Sequence, residues 1–300
     1  MYEDKTAAEV IADSTWDRVR LVTMRATFPR FILAEFNTHR AFSRNSGSSR
    51  AIPVKRQIEL VEESPFTPQR WPRNQAGMQA REYFPPESTE ARVADVEWES
   101  ARDYAVDSAQ ELMKRGIHKQ IASRLLEPFM WHTVIVSSTM PGLGNFFAQR
   151  DHEDAQPEMQ VLARAMRKAL DESTPQKTWV HIPFHTDKGS DGCGTFEPES
   201  AFITAVARCA RVSYGREMEE KTYEENAALV TRLIKGQHWS PFEHLAAANT
   251  DGTLSSAGNF SQPWAQLRHN IRRFLPSIRK GPNPDYLPTI AARIDSEHST

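Results

Sequence analysis

The amino-acid sequence predicts an α+β or irregular α/β fold rather than a doubly wound sheet. Three observations carry that prediction. Residues 130–139, MWHTVIVSST, form the strongest strand candidate, apolar on both faces and therefore read as buried. Residues 88–115 and 157–170 repeat their apolar side chains at helical spacing. Strands and helices then follow one another without βαβ regularity.

Taken in order, residues 17–28 (DRVRLVTMRATF) carry Val19, Leu21, Val22, Thr23 and Thr27, which suit a pleated surface. Pro29 stands where a helix accepts proline, so RFILAEFNTH is predicted to be a short helix. Residues 51–60 predict another. From Pro65 to Pro86 prolines and aromatics alternate, which suggests an ordered but irregular excursion. In 88–115, Val93, Val96, Ala101, Tyr104, Ala105, Ser108 and Leu112 fall on one stripe of a long helix. HKQIASRLLEPF predicts a short helix stopped near Pro128.

PEMQVLARAMRKAL is amphipathic, with Met159, Leu162, Ala163, Met166 and Leu170 three or four residues apart. Residues 173–198 read as a loop region with SDGCGT as a turn cluster, the best position for a boundary. Two helices follow. The second, 222–235, opens on a capping box of Thr222 and Glu225 and closes on Gly236. After HWSPFEH come a strand, a Gly/Ser turn and a basic tail with Arg268, Arg272, Arg273, Arg279 and Lys280. No internal repeat is present.

Composition narrows the function. Three hundred residues with 39% hydrophobic and 25% charged side chains describe a globular, soluble protein. A net charge of −2 gives no general affinity for nucleic acid, so any anion site must be local. Cys193 and Cys209 make no CxxC pair, the chain has no run of 18 apolar residues, and its first residues are acidic. These features predict a cytoplasmic protein with no membrane association.

Some motifs are weak. GLGNFF (142–147) lacks a third glycine and shows no strand–helix fingerprint around it, which argues against a dinucleotide fold. In HIPFH, Pro183 denies His181 and His185 the helix that would aim both at one metal, so no metal site is expected. Cys209, among helix formers, reads as a buried inert thiol rather than a nucleophile.

Three clusters are stronger. NTHRAFSRNSGSSRAIP (37–53) holds Arg40, Arg44 and Arg50 with His39, Asn45 and four serines, and no acid. Forked guanidinium and hydroxyl donors of this kind suit phosphate, although a solvated basic loop or a phosphorylation segment has the same composition. GQHWSPFEH (236–244) places His238, Glu243 and His244 around a turn, where they serve as acid and base or only as a helix cap. NFFAQRDHEDAQPE (145–158) sets Arg150 near several acids, a pattern that surface salt bridging also produces.

Together these clusters resemble the flavin-dependent thymidylate synthases, the ThyX family. Its signature reads Arg-His-Arg-x-x-Ser-x-Asn-x-x-Ser-x-Arg, and Thr38 to Arg50 match six of the seven fixed positions. HWSPFEH fits the family's His-x-Ser/Thr-Pro-Phe-Glu-His stretch. RLLEP (124–128) and NFFAQRDHEDAQPE are similar to later arginine-bearing segments. The motif order differs, because here the Pro-Phe-Glu-His stretch follows the signature. The resemblance therefore implies a ThyX-like mixed α/β fold with a central sheet and long helices, circularly permuted. It spans 1–300 as a single catalytic domain, with a signature-loop and helical part at 15–172 and a permuted part at 199–250. Thr38 replaces the first signature arginine, and Glu35 stands where the family usually has glutamine.

The resemblance also implies roles. His39, Arg40, Asn45, Asn145, Ser213, His238, Ser240 and Glu243 would bind FAD. Ser46, Gly47, Ser48, Arg50, Arg124 and Arg150 would bind dUMP or a related pyrimidine deoxynucleotide. Arg150 and His238 would serve catalysis. The implied reaction moves a one-carbon unit from methylenetetrahydrofolate to C5 of dUMP, with NADPH as reductant, in a homo-oligomer, a tetramer by analogy. A relative acting on another pyrimidine deoxynucleotide, or leaving a hydroxymethyl group, is one alternative. A non-enzymatic nucleotide- or RNA-binding protein is another.

Overall fold

The computed structural model describes residues 5–185 and 198–275. The chain opens with β1 (Ala7–Trp16) and β2 (Val19–Pro29). A 3₁₀ turn (Arg30–Ile32) leads into α1 (Leu33–Phe36), and β3 (Ser43–Ser46) and α2 (Val54–Glu63) follow. Next come α3 (Thr89–Lys114), α4 (Lys119–Ala122) and a 3₁₀ segment (Ser123–Phe129). Then β4 (Trp131–Thr139) runs directly into α5 (Met140–Arg150), before α6 (Pro157–Asp171). Two short strands, β5 (Gln176–Lys177) and β6 (Val180–His181), precede α7 (Pro198–Arg211) and a 3₁₀ turn (Val212–Tyr214). The remainder is α8 (Tyr223–Lys235), the 3₁₀ segment Ser240–His244, β7 (Ala246–Ala248), β8 (Trp264–Gln266), a 3₁₀ turn (Leu267–His269) and α9 (Ile271–Phe274).

The fold is the expected mixture of helices and sheet. Five strands form a central sheet in the order β3-β4-β2-β1-β5, antiparallel except for the β1–β5 pair, and β6-β7-β8 form a second, antiparallel sheet. Strand periodicity explains the two faces. Val22, Met24, Ala26 and Phe28 of β2, with Val134 and Val136 of β4, point into a core with Phe146, Met159, Leu162, Met166 and Leu170 from α5 and α6. The opposite face carries Thr23 and Ser137 toward the second sheet. A buried chain of hydrogen bonds runs there from Ser14 through His181, Thr23 and Ser137 to His244. Both ring nitrogens of His181 are thus engaged by hydroxyls, at 2.7 Å and 2.9 Å.

Several expectations need correction. Within α3, Val93, Val96 and Tyr104 are exposed, as are Ala101 and Ser108. The buried side is Ala91, Val106 and Ala109, with Trp98, Ala105 and Leu112 packed beside them. Periodicity finds an apolar stripe but not which of two offset stripes meets a partner, and small alanines allow the close approach to α2 and α4. The absence of a strand–helix unit around GLGNFF is also overturned, since β4 runs directly into α5 and GLGNFF lies within that helix. Pro141 fits the first turn of α5. The stretch 173–198 is not only loop: β5 extends the central sheet and β6 the second one. SDGCGT, Cys193, Arg279 and Lys280 lie outside the described residues. Strand β1 went unread, because Ala7, Ala8, Glu9, Ala12 and Asp13 are poor strand formers that dilute Val10 and Ile11.

Candidate functional site

The arginine-rich loop becomes the edge of the central sheet. Residues 43–46 pair with β4 on one side only, and the other edge of β3 is covered by the 212–214 and 240–244 segments rather than by another strand. Alternation then divides the loop. Ser43 and Asn45 are buried toward the second sheet, while Arg44 turns back and donates to the carbonyls of Asn37 and His39 at 2.8 Å and 3.3 Å, closing the end of α1. Burial lowers the Arg44 guanidinium's pKa, against the attraction of Glu243.

On the α5 side, Arg150 joins the loop. Its Nε donates to His39 Nε2 at 2.8 Å and its Nη2 to Thr38 Oγ1 at 3.1 Å, while Nη1 lies 4.0 Å from Glu35 Oε2. His39 packs edge-on against Phe146. Burial, then the charges of Arg150 and Arg44, push its imidazole down to about 4. A neutral ring accepting from Arg150 agrees with that shift. Gly142 brings α5 close to the loop, since a Cβ there would meet Ser138 Oγ at 2.2 Å and Ala41 Cβ at 3.2 Å.

On the other side, Ser240 Oγ donates to Asn45 Oδ1 at 3.1 Å, and Asn45 Nδ2 donates to the carbonyl of Cys209. Glu243 pairs with Arg268. Burial raises the Glu243 carboxyl's pKa, with Arg268 and Arg44 acting against it. Ser213 Oγ reaches the Ser46 carbonyl at 3.4 Å, and the Ser213 carbonyl accepts from Ser48 N at 3.1 Å. His244 is buried on Ser137, at about 3, held down by burial and then by His181.

The loop's far end is braced from beneath. Gly47 N donates to the Thr133 carbonyl at 2.9 Å, and Gln57 Nε2 donates to the Ser49 carbonyl at 2.8 Å. Glu127 accepts from Ser49 Oγ at 2.7 Å and pairs with Arg124 at 2.7 Å and Arg30 at 2.9 Å. Burial works to raise the Glu127 carboxyl's pKa, but Ser49, Arg30 and Arg124 outweigh it and lower it. Arg30 also contacts His132 Nδ1, and burial followed by that charge brings His132 to about 3.

Arg40 and Arg50 differ from the rest. Both are exposed, and neither makes a hydrogen bond or ion pair with a described residue. Arginines braced in a rigid loop but left unspent are the donor set that phosphate or diphosphate requires. That donor set, with the hydroxyls of Ser48 and Ser213 nearby, fits a phosphorylated nucleotide and a phosphorylated cofactor.

The structure brings His39, Asn45, Ser46, Gly47, Ser48, Arg150, Ser213, Ser240 and Glu243, which the sequence holds in separate clusters, together around the edge strand β3. Two expected residues stand apart. Asn145 is exposed and bonds only to Gln149 of its own helix. The His238 ring is exposed and lies over Gly236 at the end of α8. Glu127, Arg268 and Arg30 went unrecognised; only the RLLEP context of Glu127 hinted at its place.

The family model described as thymidylate synthase complementing protein (Thy1) matches residues 14–176 and 200–249. Among solved structures, the chain is similar to a UMP/dUMP methylase, PolB from Streptomyces cacaoi bound with 5-Br dUMP. Identity is 20%, coverage 51% of this chain and 66% of that one, and the TM-score 0.41. The chain thus spans just under two thirds of that protein's length. Against the same methylase bound with 5-Br UMP, identity is 17%, coverage 57% and 91%, and the TM-score 0.48. No curated protein matches the chain by sequence.

Proposed function

The chain belongs to the thymidylate synthase complementing protein family, and from that premise we propose that it is a flavin-dependent enzyme acting at C5 of a pyrimidine deoxynucleotide. In its specific form the reading is thymidylate synthesis: a one-carbon unit passes from methylenetetrahydrofolate to dUMP, with NADPH as reductant. The observation that carries it is the sheet-edge loop, in which Arg40 and Arg50 are unpaired among the described residues while His39, Arg44 and Ser49 are braced.

Each residue then has a task. Arg50 and the Ser48 hydroxyl hold the nucleotide phosphate, with Ser46 and Gly47 shaping the turn. Arg124, tied to Glu127, supplies a further cation to the nucleotide phosphate of a neighbouring subunit. Arg40, His39, Asn45, Ser213, Ser240 and Glu243 hold FAD, and Asn145 on α5 and His238 at the end of α8, which stand apart from that cluster, belong to the same expected FAD set. FAD, when bound, supplies the reducing equivalents. Arg150 stabilises negative charge on the pyrimidine carbonyl, because its guanidinium is pre-aimed by neutral His39 and Thr38. Cys209 is sealed in the core, and burial raises its thiol's pKa, so it offers no thiolate for attack at C6.

The motif order is read as a circular permutation, with 199–250 standing in for the family's leading segment and packing on 15–172 through the Ser240–Asn45 bond. A homo-oligomer, a tetramer by family analogy, and a cytoplasmic location belong to the same reading. No described helix is long and apolar enough to cross a membrane. Acceptance of a pyrimidine other than uracil is a second reading, favoured by Glu35 and Thr38 at the Arg150 guanidinium.

The test is the visible absorption spectrum of the protein loaded with FAD and titrated with dUMP. A flavin spectrum that shifts with nucleotide, and an Arg50→Ala variant that keeps flavin but loses the shift, are expected. A protein that takes up no FAD would overturn the reading.

A further inference from the structure

Resting on the reading just given, we propose that Glu35 and Arg150 select a cytosine base, so that the preferred nucleotide is dCMP rather than dUMP. The argument counts unspent hydrogen-bonding capacity. Arg150 uses Nε on His39 and Nη2 on Thr38, which leaves the Nη1 donors without a hydrogen bond. Thr38 spends its single hydroxyl proton on the Glu35 backbone carbonyl at 2.6 Å. Glu35 Oε2 is buried and has no hydrogen-bond partner; its 4.0 Å separation from Arg150 is too long for one.

Oε2 is the covered oxygen of a carboxylate whose side chain is otherwise 41% exposed, so it is the one oxygen that neither solvent nor a donor satisfies. The neighbouring residues leave it that way. His39 is neutral and accepts from Arg150, Arg44 is spent on backbone carbonyls, and position 38 holds a hydroxyl rather than a second cation that would neutralise Glu35. The cluster thus offers guanidinium donors on one side and a carboxylate acceptor on the other.

The pyrimidine edges differ in their complement to that order. Cytosine presents two acceptors, O2 and N3, followed by the 4-amino donor. Uracil presents acceptor, donor and acceptor, with O4 at the last place. Guanidinium then carboxylate matches cytosine, with Glu35 accepting from the 4-amino group. Uracil in the same seat turns O4 toward the carboxylate, an acceptor against an acceptor.

The test is equilibrium binding of dCMP and dUMP to the FAD-loaded protein, read by calorimetry and by flavin absorbance, in wild type and in Glu35→Gln. The expected result is dCMP tighter than dUMP by about tenfold or more in wild type, with the preference lost or reversed in Glu35→Gln, whose amide can donate to O4. Should Glu35→Gln not fold, the wild-type ratio alone decides. Tight dUMP and weak dCMP binding with an intact flavin response overturns the base assignment and leaves the parent reading standing. Failure to bind FAD and either nucleotide overturns both.

Discussion

Gly142 tests whether α5 is docked on the signature loop as described. An alanine Cβ at this position would lie 2.2 Å from Ser138 Oγ and 3.2 Å from Ala41 Cβ. Ser138 is buried, and its hydroxyl donates toward the carbonyls of Ala41 and Thr139 at 3.4 Å and 3.2 Å. Turning that hydroxyl away strands a buried polar group, at a cost of about 1–3 kcal/mol. Overpacking against Ala41 adds a cost of similar order. Opposing this, alanine is better than glycine inside a helix by roughly 1 kcal/mol. Gly142→Ala should therefore destabilise the protein by about 1–5 kcal/mol net. Gly144, two residues on in the same helix, provides the control, because nothing lies within 4 Å of its Cβ position. Gly144→Ala should stabilise by up to about 1 kcal/mol. Thermal and urea unfolding measure both. The shift at Ala41 should also weaken ligand uptake in the first variant only. Two variants moving Tm in the same direction by similar amounts would refute the close approach of α5 to the loop.

Acid should unfold this protein early. His39 sits at about 4, and His132, His181 and His244 at about 3, below an unfolded value near 6.5. Between those limits the unfolded chain binds more protons, so stability is fully present above about pH 6.5 and falls as pH drops. Each group contributes a slope approaching about 1.4 kcal/mol per pH unit, and urea midpoints that are equal at pH 7.5 and 5 would contradict it. Glu127→Gln removes the charge shared by Ser49, Arg30 and Arg124. It should cost about 1–3 kcal/mol and lower nucleotide affinity through the loosened loop. The stability difference from wild type should shrink as pH falls through the depressed Glu127 pKa, and a difference unchanged on acidification would count against the brace.

What the sequence by itself determined is the set of elements whose signal is local. Strand β4 and helix α6 follow from unbroken or strictly periodic apolar residues, and α8 from a capping box that forms within its first turn. The signature loop was legible for a similar reason, since residue types at fixed short spacing need no tertiary context. Tertiary structure alone decided which stripe of α3 is buried, because two stripes satisfy the same period and only packing on α2 and α4 chooses between them. It also decided how charges far apart in sequence are spent. Arg44 closes a helix, Arg124 rests on Glu127, and Arg268 meets Glu243, whereas Arg40 and Arg50 stay free. Pairing depends on distance and burial, which a linear chain does not carry. The meeting of Glu35, Thr38 and His39 with Arg150 across more than a hundred residues is a property of the folded edge strand and the helix docked beside it.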